Sequence, residues 1–378
     1  MKDRIVGYDL ARAIALLGMI VVNFKIAMGA AESGPLWLTG LVGLFDGRAA
    51  ATFVVLAGIG ISLLSRDARR EGCQEAIAPI RNSLLKRALF LFVVGLLYTP
   101  VWPADILHFY GIYIAVAAFL LTSSIRKLSF LSFLLVASFV PMFFVFAYEQ
   151  EWNWSTLDYS GFWTPMGMIR NLFYNGFHPV IPWLALLLFR MIIGRFDMNV
   201  SVVRRRIFWI GSLLALASEG ISWLLIRSLS NGMSVADREA VEAIFGTAPM
   251  PPMPLYILAG AGVASAIIAA SVSIGIRFAS SLWIRPLVAT GQLALTLYVG
   301  HVLIGMGILE AIDRLENQTL PFSLLAPGVF FTASVLFAYV WRRRFKRGPI
   351  EMLMRYLTNT RRAEQGGAGQ PATRSESE

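Results

Sequence analysis

The stretch Tyr8-Asp9-Leu10-Ala11-Arg12-Ala13-Ile14-Ala15-Leu16-Leu17-Gly18-Met19-Ile20-Val21-Val22-Asn23-Phe24 is apolar enough to enter a membrane, yet it carries three strongly polar side chains. Asp9 and Arg12 are three residues apart and therefore neighbours on a helix. Arg12 and Asn23 share a face about three turns apart, roughly 16 Å along the axis. Because such groups are costly in lipid unless they are paired or line a wet cavity, this helix predicts a functional site along its polar stripe.

The composition is that of an integral membrane protein. Of 378 residues, 57% are hydrophobic and 15% are charged, and the mean hydropathy is +0.64; soluble chains carry about 25% charged residues. The net charge of +10 lies mostly in loops between apolar segments, where Lys and Arg set orientation, so no nucleic-acid partner is expected. A single cysteine, Cys73, excludes an intrachain disulfide and a cysteine-based metal cluster.

Ten apolar segments are predicted to cross the bilayer. Alternate loops between them contain 21 and 6 Lys and Arg residues, which places both termini in the cytoplasm. The sequence therefore predicts an all-α polytopic domain over residues 1–346 and a cytoplasmic tail over 347–378, disordered from about 363. The ten spans are 8–28, 49–65, 84–100, 105–123, 128–148, 179–194, 206–228, 253–276, 286–308 and 321–341.

Two long segments are expected outside, at 149–178 and 229–252. The first is rich in aromatic residues, which suit anchors at the bilayer surface, a lid over a site or a sugar platform. All three interpretations remain open from the sequence.

The predicted topology places all three histidines in the outer half of the protein, together with other polar residues. Imidazole suits general-base chemistry near neutral pH, and Asp105 lies three residues before His108, where its carboxylate could orient the ring. A shared polar cavity is the preferred interpretation; hydrogen-bonded helix linkers and a three-histidine metal site are the alternatives. The candidate catalytic residues are His301, His178, His108, Asp105, Asp46 and Asn23.

Basic residues gather on the side predicted to be cytoplasmic. They could bind the phosphates of an anionic cofactor, or they could serve only for topology and contact with anionic lipid. Glu219 and Arg190, both expected within the membrane, could pair with each other or relay ions. The candidate cofactor-binding residues are Asp9, Arg12, Arg66, Arg69, Arg70, Lys86 and Arg87.

Four stretches resemble bacterial YeiB-like membrane proteins and the heparan-α-glucosaminide N-acetyltransferase group. The opening helix with Asn23 is similar to the shared "LDxxRGxALLGMxxxN" start, and 291–301, ending in Tyr298-Val299-Gly300-His301, is similar to a "YVGH" motif. The other two are 44–53 and 105–111. The active histidine of the eukaryotic enzyme is replaced here by Val42, and Asn23 stands where the acyltransferase-3 group has a histidine.

The resemblance implies a transmembrane acyltransferase that takes an acyl group, typically acetyl, from cytosolic acyl-CoA. The acceptor would be a hydroxyl or amine of a sugar or similar molecule on the outer side. His301 matches the family motif and is the first choice of base, followed by His178 and His108. A transporter or exporter of a small amphiphile and a non-enzymatic membrane partner are the alternatives. The expected setting is a bacterial inner membrane, with lipids as partners, no metal, and a homodimer left open.

Overall fold

The computed structural model describes residues 5–30, 34–71 and 74–358, and almost every element in them is a helix. The helices are α1 (Val6–Ala27), α2 (Leu36–Gly43), α3 (Arg48–Leu64), α4 (Arg66–Glu71), α5 (Gln74–Tyr98), α6 (Leu107–Phe119), α7 (Ile125–Val145), α8 (Pro165–Arg170), α9 (Val180–Ile193), α10 (Ser201–Leu229), α11 (Val235–Phe245), α12 (Pro254–Phe278), α13 (Ile284–Gln292), α14 (Ala294–Gly300), α15 (Gly307–Ala311), α16 (Leu320–Arg344) and α17 (Pro349–Thr358). Two π-helical turns occupy Asn171–Asn175 and His301–Met306, and strands β1 (Trp152–Asn153) and β2 (Asp158–Tyr159) form a short antiparallel hairpin.

Seven helical segments within these residues are long and apolar enough to cross a membrane. An eighth is obtained if the bent pair Pro165–Asn175 and Val180–Ile193 counts as one span. The protein is therefore an all-α polytopic membrane protein, as the sequence predicted. The ten-span count and the cytoplasmic position of the termini stay predictions, because α5 carries many charges and α6 has only 13 residues.

Helix α1 lies at the centre of the bundle, where it packs against α3, α12, α13 and α16. Its apolar face is almost completely covered, with Leu16 and Ile20 at 0% exposure. By contrast, only 11%, 17% and 22% of the spanning residues of α7, α10 and α16 are buried, as expected of helices that face lipid. The polar stripe of the first helix is thus enclosed by protein rather than by lipid.

The predicted ninth span is interrupted rather than continuous. The chain leaves helical geometry at Leu293, between α13 and α14, and it widens into a π-turn from His301. Both irregularities lie beside polar residues of α1, which fits the rule that non-helical backbone at membrane depth is tolerated where protein or a cavity covers it. π-Turns within helices are frequent at functional sites.

Candidate functional site

The last turn of α1 meets the π-turn that begins at His301. The Asn23 Nδ2 and His301 Nε2 atoms are 2.9 Å apart, and His301 is fully buried. The other ring nitrogen, Nδ1, hydrogen-bonds to the Tyr298 carbonyl oxygen. Because a carbonyl can only accept, Nδ1 carries the proton, and in the neutral ring Nε2 accepts from the Asn23 amide.

Tyr298 joins this pair to a second one. Its hydroxyl donates to Asp105 Oδ1 over 3.4 Å and accepts from the Ile106 backbone N–H over 3.2 Å. Asp105 Oδ2 is 3.0 Å from His108 Nδ1, and both residues are buried. The predicted carboxylate–imidazole pair is therefore formed. It leaves His108 Nε2 without a hydrogen-bond partner in the described part of the chain.

Gly95 on α5 allows Asp105 and His108, at the start of α6, to pack closely against α5. A Cβ atom at that position would lie 2.8 Å from Asp105 Oδ2, inside the normal contact distance. Any side chain at Gly95 would therefore push the Asp105–His108 pair away from α5.

A small cavity of about 90 Å³ opens beside Asn23. His178 lies on its wall, and the His178 Nδ1 atom has no hydrogen-bond partner among the residues described. The His178 ring packs against Trp183 and Phe109 with centroid distances of 4.7 and 6.0 Å. The remaining wall is mainly apolar and includes Met19, Val22, Ile26, Phe45, Gly47, Ala49, Ala50, Ala104, Phe177, Pro249 and Met250.

Asp46 lies at the edge of the same region but is engaged with Lys25. The Lys25 Nζ atom is 2.6 and 2.7 Å from the two Asp46 carboxylate oxygens. The next residue, Gly47, has φ +68° and sits against Pro249 and Tyr256, a conformation that favours glycine. Asp46 therefore fixes the loop between α2 and α3 to the end of α1.

The suggested pairing of Glu219 with Arg190 is wrong. Glu219 instead forms an ion pair with Arg48 and accepts a hydrogen bond from the Thr247 hydroxyl over 2.8 Å. Arg48 lies at the start of α3, close to the middle of α10, whereas Arg190 lies near the end of α9. Sequence spacing gave no information on which of these helices are adjacent.

Arg190 is fully buried between α9 and α12. Its Nη2 donates to the Ala264 carbonyl oxygen over 3.1 Å, while Nε and Nη1 have no hydrogen-bond partner among the described residues. A buried guanidinium with unsatisfied donors is expensive, so Arg190 is an exceptional group in this bundle.

The opposite end of α1 has a different character. Arg12 Nη1 lies 2.6 Å from Asp9 Oδ1, and Gln292 Nε2 donates to Asp9 Oδ2 over 3.1 Å. The Arg12 side chain keeps 31% of its surface exposed. Asp9 therefore orients Arg12 and ties it to the end of α13, leaving part of the guanidinium available to an anion.

Of the other predicted cofactor residues, Arg69 is engaged at the end of α3. Arg69 donates from Nη2 to the Ser62 carbonyl oxygen over 2.9 Å, and it also contacts Ser65, so it caps the end of α3. Burial lowers the pKa of the Arg69 guanidinium, and the charges of Arg195 and Arg66 lower it further. Lys86 is exposed on α5, and Arg66 and Arg87 are partly exposed. The side chain of Arg70 lies outside the described residues.

Glu351 was missed by the sequence analysis, which placed it in the cytoplasmic tail. Its Oε1 accepts the backbone N–H groups of Leu295 and Thr296 at 2.9 and 3.2 Å, and its Oε2 accepts the Thr296 hydroxyl. Helix α17 thus caps the start of α14, the helix that leads to His301. The only sequence signal was the amphipathic pattern after residue 348, which does not reveal where the helix docks.

No group of three or more metal-ligating side chains occurs within residues 5–30, 34–71 and 74–358. The three histidines instead occupy separate places, bonded to Asn23, bonded to Asp105, and on the cavity wall. The prediction that no metal takes part stays a prediction.

Fold and site together define a polytopic helical membrane protein with a buried Asn-His-Tyr-Asp-His chain at one end of its central helix. The family model described as "Heparan-alpha-glucosaminide N-acetyltransferase, catalytic" matches residues 4–226, more than half of the chain. A second model, described as "Protein of unknown function (DUF418)", matches residues 203–361. No curated protein gives a significant match.

The chain therefore belongs to the heparan-alpha-glucosaminide N-acetyltransferase catalytic-domain family, which confirms the resemblance seen in the sequence. The matched region includes Asn23, Asp105, His108 and His178. His301 lies in the part matched by the second model. The candidate site is therefore built from both matched regions.

Proposed function

We propose that the protein is an acyl-CoA-dependent acyltransferase that transfers an acyl group, most simply acetyl, to a hydroxyl or amine of a sugar or similar acceptor. Family membership supports a transferase. The observation that carries the proposal is the small cavity lined both by Asn23, which His301 holds, and by His178, whose Nδ1 has no hydrogen-bond partner among the described residues. An amide donor and an imidazole base on one small cavity are the two groups that acyl transfer requires.

The hydrogen bonds distinguish the roles of the two histidines. The lone pair of His301 Nε2 already accepts from Asn23, so in this arrangement His301 orients the amide and is not free to take a proton. The second N–H of Asn23 remains for the oxyanion that develops on the thioester carbonyl. His301, ranked first from the sequence, is thus proposed as a positioning residue, and His178 is proposed as the base.

The reaction then needs no covalent enzyme intermediate. His178 takes the proton of the acceptor hydroxyl or amine, whose oxygen or nitrogen forms a bond to the thioester carbonyl carbon. The carbon–sulfur bond then breaks. The proton that His178 accepted passes to the sulfur, and CoA leaves as its thiol. Asp105, Tyr298 and His108 form the supporting chain behind this centre, while Asp46 holds the neighbouring loop through Lys25.

We propose that the donor's phosphates contact Arg12, which Asp9 holds in place. Arg66, Lys86 and Arg87 would add charge at the entrance. Phosphates favour guanidinium groups because two parallel N–H bonds can form. The separation of Arg12 and Asn23 by about three helical turns allows an extended donor to reach from one to the other. The proposal takes acyl-CoA from the cytoplasm and keeps the predicted ten-span topology in a bacterial inner membrane.

The test is CoA release from acetyl-CoA by the purified full-length protein with a panel of amine and sugar acceptors. His178→Gln should remove acceptor-dependent release, because glutamine cannot act as a base. Ile169→Ala on α8, whose side chain is 54% exposed, is the matched control and should behave as wild type. Undiminished turnover of His178→Gln would contradict the assignment, and absence of CoA release in the wild type with every acceptor would contradict the proposed function.

A further inference from the structure

A second cavity, of about 140 Å³, lies between the turn after α5 and the β1–β2 hairpin. We call it the aromatic cavity. Its walls are four aromatic rings and several polar side chains. The lining consists of Thr99, Pro100, Pro103, Trp152, Leu157, Asp158, Tyr159, Phe162, Trp163 and Asn171.

The rings of the aromatic cavity stand nearly at right angles to one another. Trp152 and Tyr159 have centroids 5.0 Å apart at 86°, Tyr159 and Phe162 are 6.5 Å apart at 87°, and Phe162 and Trp163 are 5.0 Å apart at 87°. These are edge-to-face contacts between neighbouring rings, and Trp152 also stacks on Trp154 at 4.5 Å and 14°. Aromatic rings that line a small cavity can recognise ammonium groups by cation–π attraction.

The charge of the segment also favours a cation. Residues 149–178 contain three acidic residues and one arginine, in a protein whose net charge is +10. Arg170 is occupied by Glu151, with a distance of 3.2 Å. Asp158 lines the aromatic cavity, and its carboxylate makes no ion pair or side-chain hydrogen bond to another described residue. One carboxylate is thus available beside the aromatic walls.

Asn171 supplies a polar side chain on the wall of the same cavity. This residue is only 5% exposed and lines the aromatic cavity. Its backbone carbonyl accepts the Gly176 N–H, but its side-chain amide has no hydrogen-bond partner among the residues that the structure describes. The amide can therefore hydrogen-bond to water or to a ligand in the aromatic cavity.

The aromatic cavity is held in shape by Asn175 on the adjacent π-turn. Trp152 Nε1 donates to the Asn175 carbonyl oxygen over 2.6 Å, and the Tyr159 hydroxyl donates to Asn175 Oδ1 over 3.0 Å. Asn175 Nδ2 donates to the Tyr148 and Gln150 carbonyl oxygens. Two walls are therefore fixed before any ligand arrives, which lowers the entropic cost of binding. Simple membrane anchors need no such support.

We propose that the aromatic cavity binds an organic ammonium group, with Asp158 as its counter-ion and Asn171 as a hydrogen-bond partner for the rest of the ligand. Phe162 forms one wall and lies with its ring edge-on to His108, at a centroid distance of 6.1 Å. The site is therefore adjacent to the polar chain but separate from the cavity beside Asn23. Its use for recruiting an amine-bearing acceptor rests on the proposed function; the binding itself does not.

The test measures binding of tetramethylammonium to the purified full-length protein in detergent, without any acyl donor, by saturation-transfer NMR of the methyl protons. Tert-butanol is the uncharged ligand of similar shape. Tetramethylammonium should bind and tert-butanol should not. Asp158→Asn and Trp163→Ala should each weaken binding about tenfold, the range expected when one electrostatic or cation–π partner is lost. Trp283→Ala, at a tryptophan that is 85% exposed, is the matched control and should bind as wild type.

Equal binding of tert-butanol, or unchanged affinity in both Asp158→Asn and Trp163→Ala, would overturn the proposal. So would binding of a methyl glycoside in place of the cation. Asp158→Asn changes an exposed side chain and preserves its shape, so loss of binding there cannot be ascribed to unfolding.

In nanodiscs, competition by phosphatidylethanolamine but not phosphatidylglycerol would identify a lipid headgroup as the source, and lack of competition would identify a soluble amine. Because no acyl-CoA is present, absence of tetramethylammonium binding would leave the transferase proposal intact. Absence of acyl transfer would likewise leave the ammonium-binding proposal intact.

Discussion

The two ends of α1 carry polar residues for different purposes. At the Asn23 end, Asn23 bonds to the His301 ring, which bonds to the backbone carbonyl of Tyr298, and the Tyr298 hydroxyl bonds to Asp105. At the Arg12 end, Asp9 is buried but Arg12 is partly exposed, and Arg69 caps a neighbouring helix. Burial with fixed partners favours chemistry, because oriented dipoles act strongly where water is excluded. Partial exposure favours reversible binding of a charged ligand.

The largest effect should come from Asn23. Replacing it by alanine removes the amide proposed to stabilise the oxyanion and leaves His301 Nε2 without its donor, so kcat should fall about 10²- to 10³-fold. Single-turnover acyl transfer from acetyl-CoA would measure this. Ile14→Ala changes a 38% exposed residue of the same helix and should have little effect. A kcat for Asn23→Ala within twofold of wild type would contradict the assignment of catalysis to the Asn23 end of α1.

Arg12→Ala should act on donor binding. Loss of a guanidinium contact to phosphate should raise KM for acetyl-CoA about tenfold or more, with a smaller change in kcat. Dephospho-CoA and pantetheine thioesters would show which phosphate Arg12 contacts. Arg12→Ala should change KM least for a donor that lacks that phosphate. Arg227→Ala on the exposed side of α10 controls for loss of a positive charge. A kcat defect without a KM change would place Arg12 in the chemistry instead.

Glu351→Ala should produce an intermediate effect. It removes three hydrogen bonds from the start of α14, a loss of cap worth about 1 kcal/mol. Because α14 leads directly to His301, we also expect a several-fold decrease in kcat. Glu351→Gln should recover part of both, since one amide oxygen can still accept the backbone N–H groups. Glu310→Ala on α15 is the control, and unchanged thermal stability of Glu351→Ala would show that the cap is dispensable.

Arg69→Ala should have the smallest kinetic effect. The substitution removes the capping bonds at the end of α3 and should lower the free energy of unfolding by about 1 kcal/mol, while KM for acetyl-CoA stays near that of the wild type. Denaturation monitored alongside steady-state kinetics would separate these quantities. A large increase in KM for acetyl-CoA would contradict this and would assign Arg69, on the 66–71 segment, to the donor site together with Arg12.

The sequence was informative where polarity is exceptional and uninformative about which helices touch. Asn23, His301, Asp105 and His108 could be selected because such groups are rare in apolar spans, and the i, i+3 spacing predicted the Asp105–His108 contact. Tyr298 entered only through the resemblance to the YVGH motif, and its polarity gave no signal because a tyrosine is ordinary in a membrane protein. The partner of Glu219 depended on how near the start of α3 lies to α10, which periodicity within a single helix cannot specify.

The sequence also did not predict where a helix is interrupted. The apolar run at 286–308 suggested one span, but Leu293 leaves helical geometry and the next turn is capped by Glu351. Hydropathy measures only average polarity over a window and therefore cannot detect a break that is satisfied by a distant side chain. The aromatic content of 149–178 was evident from the sequence, but the edge-to-face packing of its rings depends on the fold of the β1–β2 hairpin.

The most direct test of the central claim compares His301→Gln with His301→Ala in acetyl-CoA turnover, with Leu303→Ala as control because Leu303 is 53% exposed on the same π-turn. The glutamine side-chain oxygen can accept a hydrogen bond from the Asn23 amide but cannot take a proton from an acceptor. If His301 orients Asn23, His301→Gln should retain a substantial part of the activity that His301→Ala loses, while His178→Gln is inactive. Equal loss in His301→Gln and His301→Ala, with activity retained in His178→Gln, would contradict this account and make His301 the base.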